Sequence, residues 1–146
     1  MTFLSMGGAK RPDTCTPLPA GQHLVRLASL KYVAKVGKVV AEFETPDQAQ
    51  FFTEWLGMDS PGKVGRLQAF MGRLFTLAGL RPPTAFDTEE DFNRAGDALV
   101  AGGLELQLVL ADDVWEGRTQ QVIAGKFDVA LLPKDAPRPA GAKKLF

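Results

Sequence analysis

Residues 21–56 read GQHLVRLASLKYVAKVGKVVAEFETPDQAQFFTEWL, and the fold turns on this stretch. His23, Val25 and Leu27 alternate with Leu24, Arg26 and Ala28, the period-2 pattern of a strand, and the β-rich run continues through Leu30, Tyr32 and Val33. Lys35-Val36-Gly37-Lys38 is a hairpin turn in which Gly37 supplies the permissive backbone. In the second strand, Val39 to Glu44, Val39, Ala41 and Phe43 share one face, and Phe43 is expected to be buried. Val40, Glu42 and Glu44 take the other face, and Thr45-Pro46-Asp47 turns the chain. A third strand near Gln50–Leu56 sets Phe51, Thr53 and Trp55 against Phe52 and Glu54. This is a three-stranded meander. Its first turn has no room for a helix, which excludes a ferredoxin-like order.

Downstream, Ser60 and Pro61 open a helix whose apolar stripe is Val64, Leu67, Met71, Leu74, Phe75 and Ala78. Gly79 ends it, and Arg66 and Arg73 lie a heptad apart, off the stripe. A shorter helix follows from about Thr88 to Val100, with Asp87 and Glu90 offering a capping box and Gly102-Gly103 terminating it. Leu104, Leu106, Leu108 and Leu110 then mark a strand with one buried face. Asp112-Asp113 to Gly117 reads as a turn, Arg118–Ala124 as the returning strand, and Val129–Leu132 as a last apolar stretch. Three strands, a helix, a short helix and two strands is the order of a mostly-β OB-fold: a five-stranded Greek-key barrel with a helix between strands three and four, plus an extra short helix. The expected organisation is an aperiodic, flexible arm over 1–20, the barrel over 21–132 and a flexible Pro/Ala/Lys-rich tail over 133–146.

Composition narrows the class. The chain has 146 residues, 45% of them hydrophobic and 23% charged, which suits one ordinary globular domain. No apolar run is long enough to span a membrane, and no secretory signal opens the sequence, so a cytoplasmic location is expected. A single Cys excludes an internal disulfide framework, and with a single His a structural zinc site is not expected. Charges cancel overall but are segregated. Residues 1–86 sum to +4, residues 87–116 to −8 and residues 117–146 to +4, which permits separate basic and acidic faces.

Catalytic signatures are missing: there is no phosphate-cradling Gly-rich loop, no H-E-x-x-H and no G-x-S-x-G. A non-enzymatic protein without cofactor or metal is therefore expected. Asp112, Asp113 and Glu116 read as a polar hairpin turn, His23 as a core or barrel-rim residue, and Cys15 carries no role. The meander, in contrast, interleaves aromatic and basic side chains. Flat rings stack on exposed bases and Lys or Arg neutralise the phosphates between them, the chemistry that single-stranded nucleic acid requires. Adjacent Phe51 and Phe52 must point to opposite faces, so one of them leaves the core, and Trp55 shares the parity of Phe51. The expected nucleic-acid-binding set is Arg26, Lys31, Tyr32, Lys35, Lys38, Phe52, Trp55, Trp115, Arg118 and Lys126. In an OB barrel the two hairpins flank one groove, so Lys35, Lys38, Arg118 and Lys126 are expected to converge on it, with the acidic cluster turned away.

Three segments carry a family resemblance: Leu18-Pro19-Ala20-Gly21-Gln22-His23-Leu24-Val25, Gly37-Lys38-Val39-Val40-Ala41-Glu42-Phe43-Glu44, and Trp115-Glu116-Gly117-Arg118 running to Ile123-Ala124-Gly125-Lys126-Phe127. Together they resemble a family of small phage proteins from replication and recombination modules, regarded as single-stranded-DNA-binding-like, over about Leu18–Phe127. The resemblance implies a single-stranded DNA-binding protein acting in DNA replication or recombination. Its further partners would be phage or host replication and recombination proteins and a second copy of the chain, with no membrane. The alternative is an OB-fold protein-interaction module, a phage adaptor or inhibitor whose working face is the acidic 87–116 segment.

Overall fold

A computed structural model of the chain describes residues 16–125 and 129–137; Cys15, Lys126 and residues 138–146 of the expected tail lie outside them. The strands are β1 (Thr16–Pro17), β2 (Gly21–Val33), β3 (Lys38–Glu44), β4 (Gln50–Leu56), β5 (Glu105–Trp115), β6 (Arg118–Ile123) and β7 (Leu131–Pro133). Helices α1 (Pro61–Leu77) and α2 (Glu89–Ala101) both fall between β4 and β5. The protein is mostly β: an open, mixed seven-stranded sheet of order β1-β4-β3-β2-β5-β6, with β7 also paired to β5. The expected closed barrel is not formed by backbone pairing, since among the described residues no ladder joins β6 to β4.

β2 is the spine. Its C-terminal part pairs with β3 from Arg26↔Glu44 to Val33↔Lys38, and its N-terminal part pairs with β5 from Gly21↔Leu110 to Arg26↔Glu105. A register shift between Leu27 and Ser29 changes the alternation, so Val25, Leu27 and Leu30 are all buried. An extra residue in one strand does this, and simple period-2 reading passes over it.

Where β2 leaves β5, α2 takes over its open edge. Tyr32 N donates to Asn93 Oδ1 at 2.8 Å, and Leu27 N donates to Leu104 O at 3.0 Å. Satisfying edge groups in this way protects a strand from stray pairing. Gly96 lies so close to β2 that a Cβ there would stand 2.4 Å from Leu30 O. Gly96→Ala should therefore push α2 off the sheet and cost about 1–3 kcal/mol, read as a lower urea midpoint; an unchanged midpoint would contradict this packing.

α1 starts as its sequence reads, with Ser60 Oγ accepting from Lys63 N at 3.3 Å. Its buried side is broader than the expected stripe, because Phe70 joins Leu67, Met71, Leu74 and Phe75 and meets Phe43 edge-on at 6.3 Å. α2 is capped by Thr88, whose Oγ1 accepts from Asp91 N at 3.0 Å, and not by an Asp87–Glu90 box.

Three boundaries move. Thr16 and Pro17 pair with β4, and Leu18 is only 1% exposed, so the expected arm does not extend to residue 20. At the other end Pro133 belongs to β7, and Gln107 Nε2 donates to the carbonyls of Lys134 and Ala136 while its Oε1 accepts from Gln22 at 2.6 Å. The buried amide pair thus holds residues that the sequence pattern places in the tail. Finally, the second hairpin turns at Glu116 and Gly117, both at positive φ, which places Asp112 and Asp113 within β5 opposite Gln121 and Gln120. A two-residue turn of this kind matches the twist of its strands, so the ladder runs farther than the acidic residues suggest.

Candidate nucleic-acid interface

Register assigns every meander side chain to a face. Phe43 sits opposite Phe52, Ala41 opposite Leu30 and Glu54, and Val39 opposite Leu56 and Tyr32, which defines the inner side. The outer side then carries three rows across β2, β3 and β4: Lys31–Val40–Trp55, Ser29–Glu42–Thr53 and Arg26–Glu44–Phe51. Trp55 is 51% exposed, an indole that the core does not use. Val40 lies beside it, and Lys38 stands one pleat farther along β3, next to the hairpin that bears Lys35 and Val36. Val40 was missed by sequence reading, although it shares the parity of Lys38.

Two aromatic residues of the expected set are corrected. Phe52 is 7% exposed and faces inward, because it shares parity with Leu56; half-buried Phe51 is the outward member of the pair. Tyr32 also sits on the inner side, packed against the core, since the bulge in β2 shifts its parity. Neither can stack beside Trp55.

The cations divide. Arg26 Nη2 binds Glu44 Oε1 at 2.7 Å and Lys31 Nζ binds Asp97 Oδ1, so both are ion-paired across the surface. Lys35 and Lys38 are exposed. Asp59, exposed beyond the end of β4, is held below its ordinary carboxylate range by a hydrogen bond from Lys63, then by the charges of Lys63 and Lys38. Arg118 is exposed at the start of β6, paired in register with Trp115, whose side chain, like Lys126, lies outside the described residues.

The two hairpins expected to flank one groove start from different ends of the central strand. The β2–β3 tip lies beyond Val33, whereas β5 runs antiparallel to β2 and carries its own tip past Gly21. The tips therefore leave opposite ends of β2, and Arg118 is remote along the sheet from Lys35 and Lys38. Acidic and basic residues share the second hairpin, where Asp112 accepts from Gln121 Nε2 at 2.9 Å.

Behind the platform lies a polar clasp that sequence reading did not anticipate. Glu54, on the inner side of β4, meets Arg66 of α1 at 3.5 Å and accepts from the backbone N–H of Ile123 at the end of β6. Arg66 also donates to the carbonyls of Ile123 and Gly125, and Arg73 to that of Leu131 at 2.9 Å. Burial pushes the Glu54 carboxyl above its ordinary range, against the opposing pull of Arg66 and the Ile123 hydrogen bond. The two arginines that lie off the apolar stripe of α1 thus hold the chain at the end of β6 and in β7.

His23 is half-buried, with Nε2 2.7 Å from Pro19 O. Among the described residues no group of three His, Cys, Asp or Glu is arranged to hold a metal, and no helix is long and apolar enough to cross a membrane. No protein-family model matches the chain, and no curated protein is significantly similar to it.

Proposed function

We propose that the protein is a nucleic-acid-binding member of the OB-type barrels, open along one seam. Five principal strands, a long first strand shared by two neighbours, and helices between the third and fourth support this reading. The Glu54–Arg66–Ile123 clasp supports it as well, because it brings the last of those strands to β4 through side chains where no backbone ladder runs.

Within that class it is a non-enzymatic, single-stranded DNA-binding protein of phage type, acting in replication or recombination in the cytoplasm of a bacterial host. The observation that carries this is Trp55, half-exposed on the outer strand face with Val40 beside it, exposed Lys38 one pleat away and exposed Lys35 on the adjoining hairpin. An exposed indole offers a stacking surface to any base, and nearby ammonium groups neutralise the phosphates on either side. With Arg118 at the far end of β2, the binding patch is compact and centred on the first hairpin.

Trp55→Ala should weaken binding of oligo-dT by about 1–3 kcal/mol, roughly 5- to 150-fold, while thermal stability changes little because the ring is not part of the core. Fluorescence anisotropy with a labelled oligonucleotide measures it. Wild-type affinity in the Ala variant would remove Trp55 as the platform.

A further inference from the structure

On the inner side of the meander, between α1, the 80–88 loop and the start of α2, opens a cleft of about 690 Å³. Met58, Leu67, Met71, Phe75, Phe86 and Phe92 form its floor and walls. The three rings make a continuous aromatic wall, Phe75 to Phe86 at 6.3 Å and Phe86 to Phe92 at 5.2 Å. Met58 is 45% exposed at its mouth. Asp87 and Glu89 stand on the rim, and among the described residues neither has a cationic partner, since Arg94 is taken by Glu90. Val39 and Tyr32 line the cleft while Val40 and Trp55 face the other way, so the cleft and the Trp55 surface lie on opposite sides of the sheet.

We infer that this cleft docks a basic amphipathic segment of a partner protein, its apolar side chains in the Met- and Phe-lined trough and its Lys or Arg against Asp87 and Glu89. The volume falls in the range of ligand sites, and a trough lined by Met and Phe side chains suits the apolar anchors on one side of an amphipathic helix. Unbranched Met side chains adapt to the anchor that enters. The rim charge selects the partner: it repels a phosphate backbone and attracts cationic residues flanking an apolar stripe. This inference stands apart from the nucleic-acid reading, and the two surfaces can be filled together.

The test uses the full chain and a labelled synthetic 15-residue peptide with Leu at i, i+3, i+4 and i+7 on one face and Lys on the other. An isomer with Glu in place of Lys is the control. Saturable binding of the Lys peptide is expected, at least tenfold tighter than the Glu isomer. Asp87→Lys with Glu89→Lys should weaken it at least tenfold, and Met58→Glu should do the same from the apolar side. All three substitutions are exposed, and melting curves verify that the variants remain folded. Oligo-dT affinity should be unchanged by saturating peptide. The inference is overturned if the Lys peptide does not bind, if both isomers bind alike, or if the rim variant binds as wild type. It is equally overturned if a peptide of this chain's own residues 138–146, RPAGAKKLF, displaces the probe at lower concentration than the unlabelled probe itself, which would make the occupant a segment of this chain.

Discussion

Arg66→Ala is expected to destabilise the protein by about 3 kcal/mol or more, a fall in Tm of roughly 10 °C. Arg66 is the only basic side chain ion-paired to Glu54 among the described residues, and the two side chains are 22% and 12% exposed. Truncating it leaves a buried carboxylate with no ion-pair partner and only the Ile123 N–H to compensate it, and strips the carbonyls of Ile123 and Gly125 of their donor. Glu54→Gln should behave differently. The amide still accepts from Ile123 N–H, and Arg66, though it loses its carboxylate, keeps its bonds to the carbonyls of Ile123 and Gly125, so the loss at neutral pH should be smaller than for Arg66→Ala. The pH dependence follows the same logic. Burial, the largest influence, raises the folded-state pKa of Glu54 above its unfolded value, so the folded state binds the proton more tightly. Glu54 therefore contributes least destabilisation below the unfolded pKa. As pH rises from there through the raised folded value, ionisation removes stability. Chemical denaturation across that window should show wild type losing ground to Glu54→Gln as pH rises. Parallel curves would contradict the clasp.

Phe70→Ala should cost about 3–5 kcal/mol. The ring is 0% exposed and packs edge-on against Phe43, joining α1 to the inner side of the meander, and deletion opens a cavity that neither rigid element can fill. Phe70→Leu keeps most of the volume and should cost less than half as much. Urea unfolding midpoints with an unchanged m-value measure both, and equal losses in the two variants would mean that packing at this site is loose.

Much of the fold was legible because its signals were local. Gly37 marks the first hairpin, Gln50 and Leu56 bound the third long strand, and Ser60-Pro61 opens α1 where the sequence places it. What escaped reading depends on tertiary context. The bulge after Leu27 reverses parity and turns Tyr32 inward, and nothing in the local pattern marks it. Leu18 looks like a residue of an arm until β4 offers it an edge. Acidic Asp112 and Asp113 suggest a turn, yet Glu116-Gly117 makes a tighter one and the ladder continues past them. Of the expected site, Trp55 is exposed, an orientation that parity ties to Phe51 but leaves open. Phe52 was misplaced, because parity states that Phe51 and Phe52 point apart but not which of them meets the core. Charge reading located Arg26 and Lys31 but not their partners Glu44 and Asp97, which come from other elements.

The central claim is met most directly by titrating the 146-residue chain with fluorescent oligo-dT over a series of salt concentrations, without metal or nucleotide. The account predicts saturable binding, an uncut oligonucleotide, and log affinity falling linearly with log salt at about −0.7 per phosphate contacted. Replacing Lys35 and Lys38 together should make that slope shallower by about one unit or more, while Arg118→Ala, at the other end of β2, should leave it nearly unchanged. Absence of binding at low salt, or affinity indifferent to salt, would contradict a single-stranded DNA-binding function.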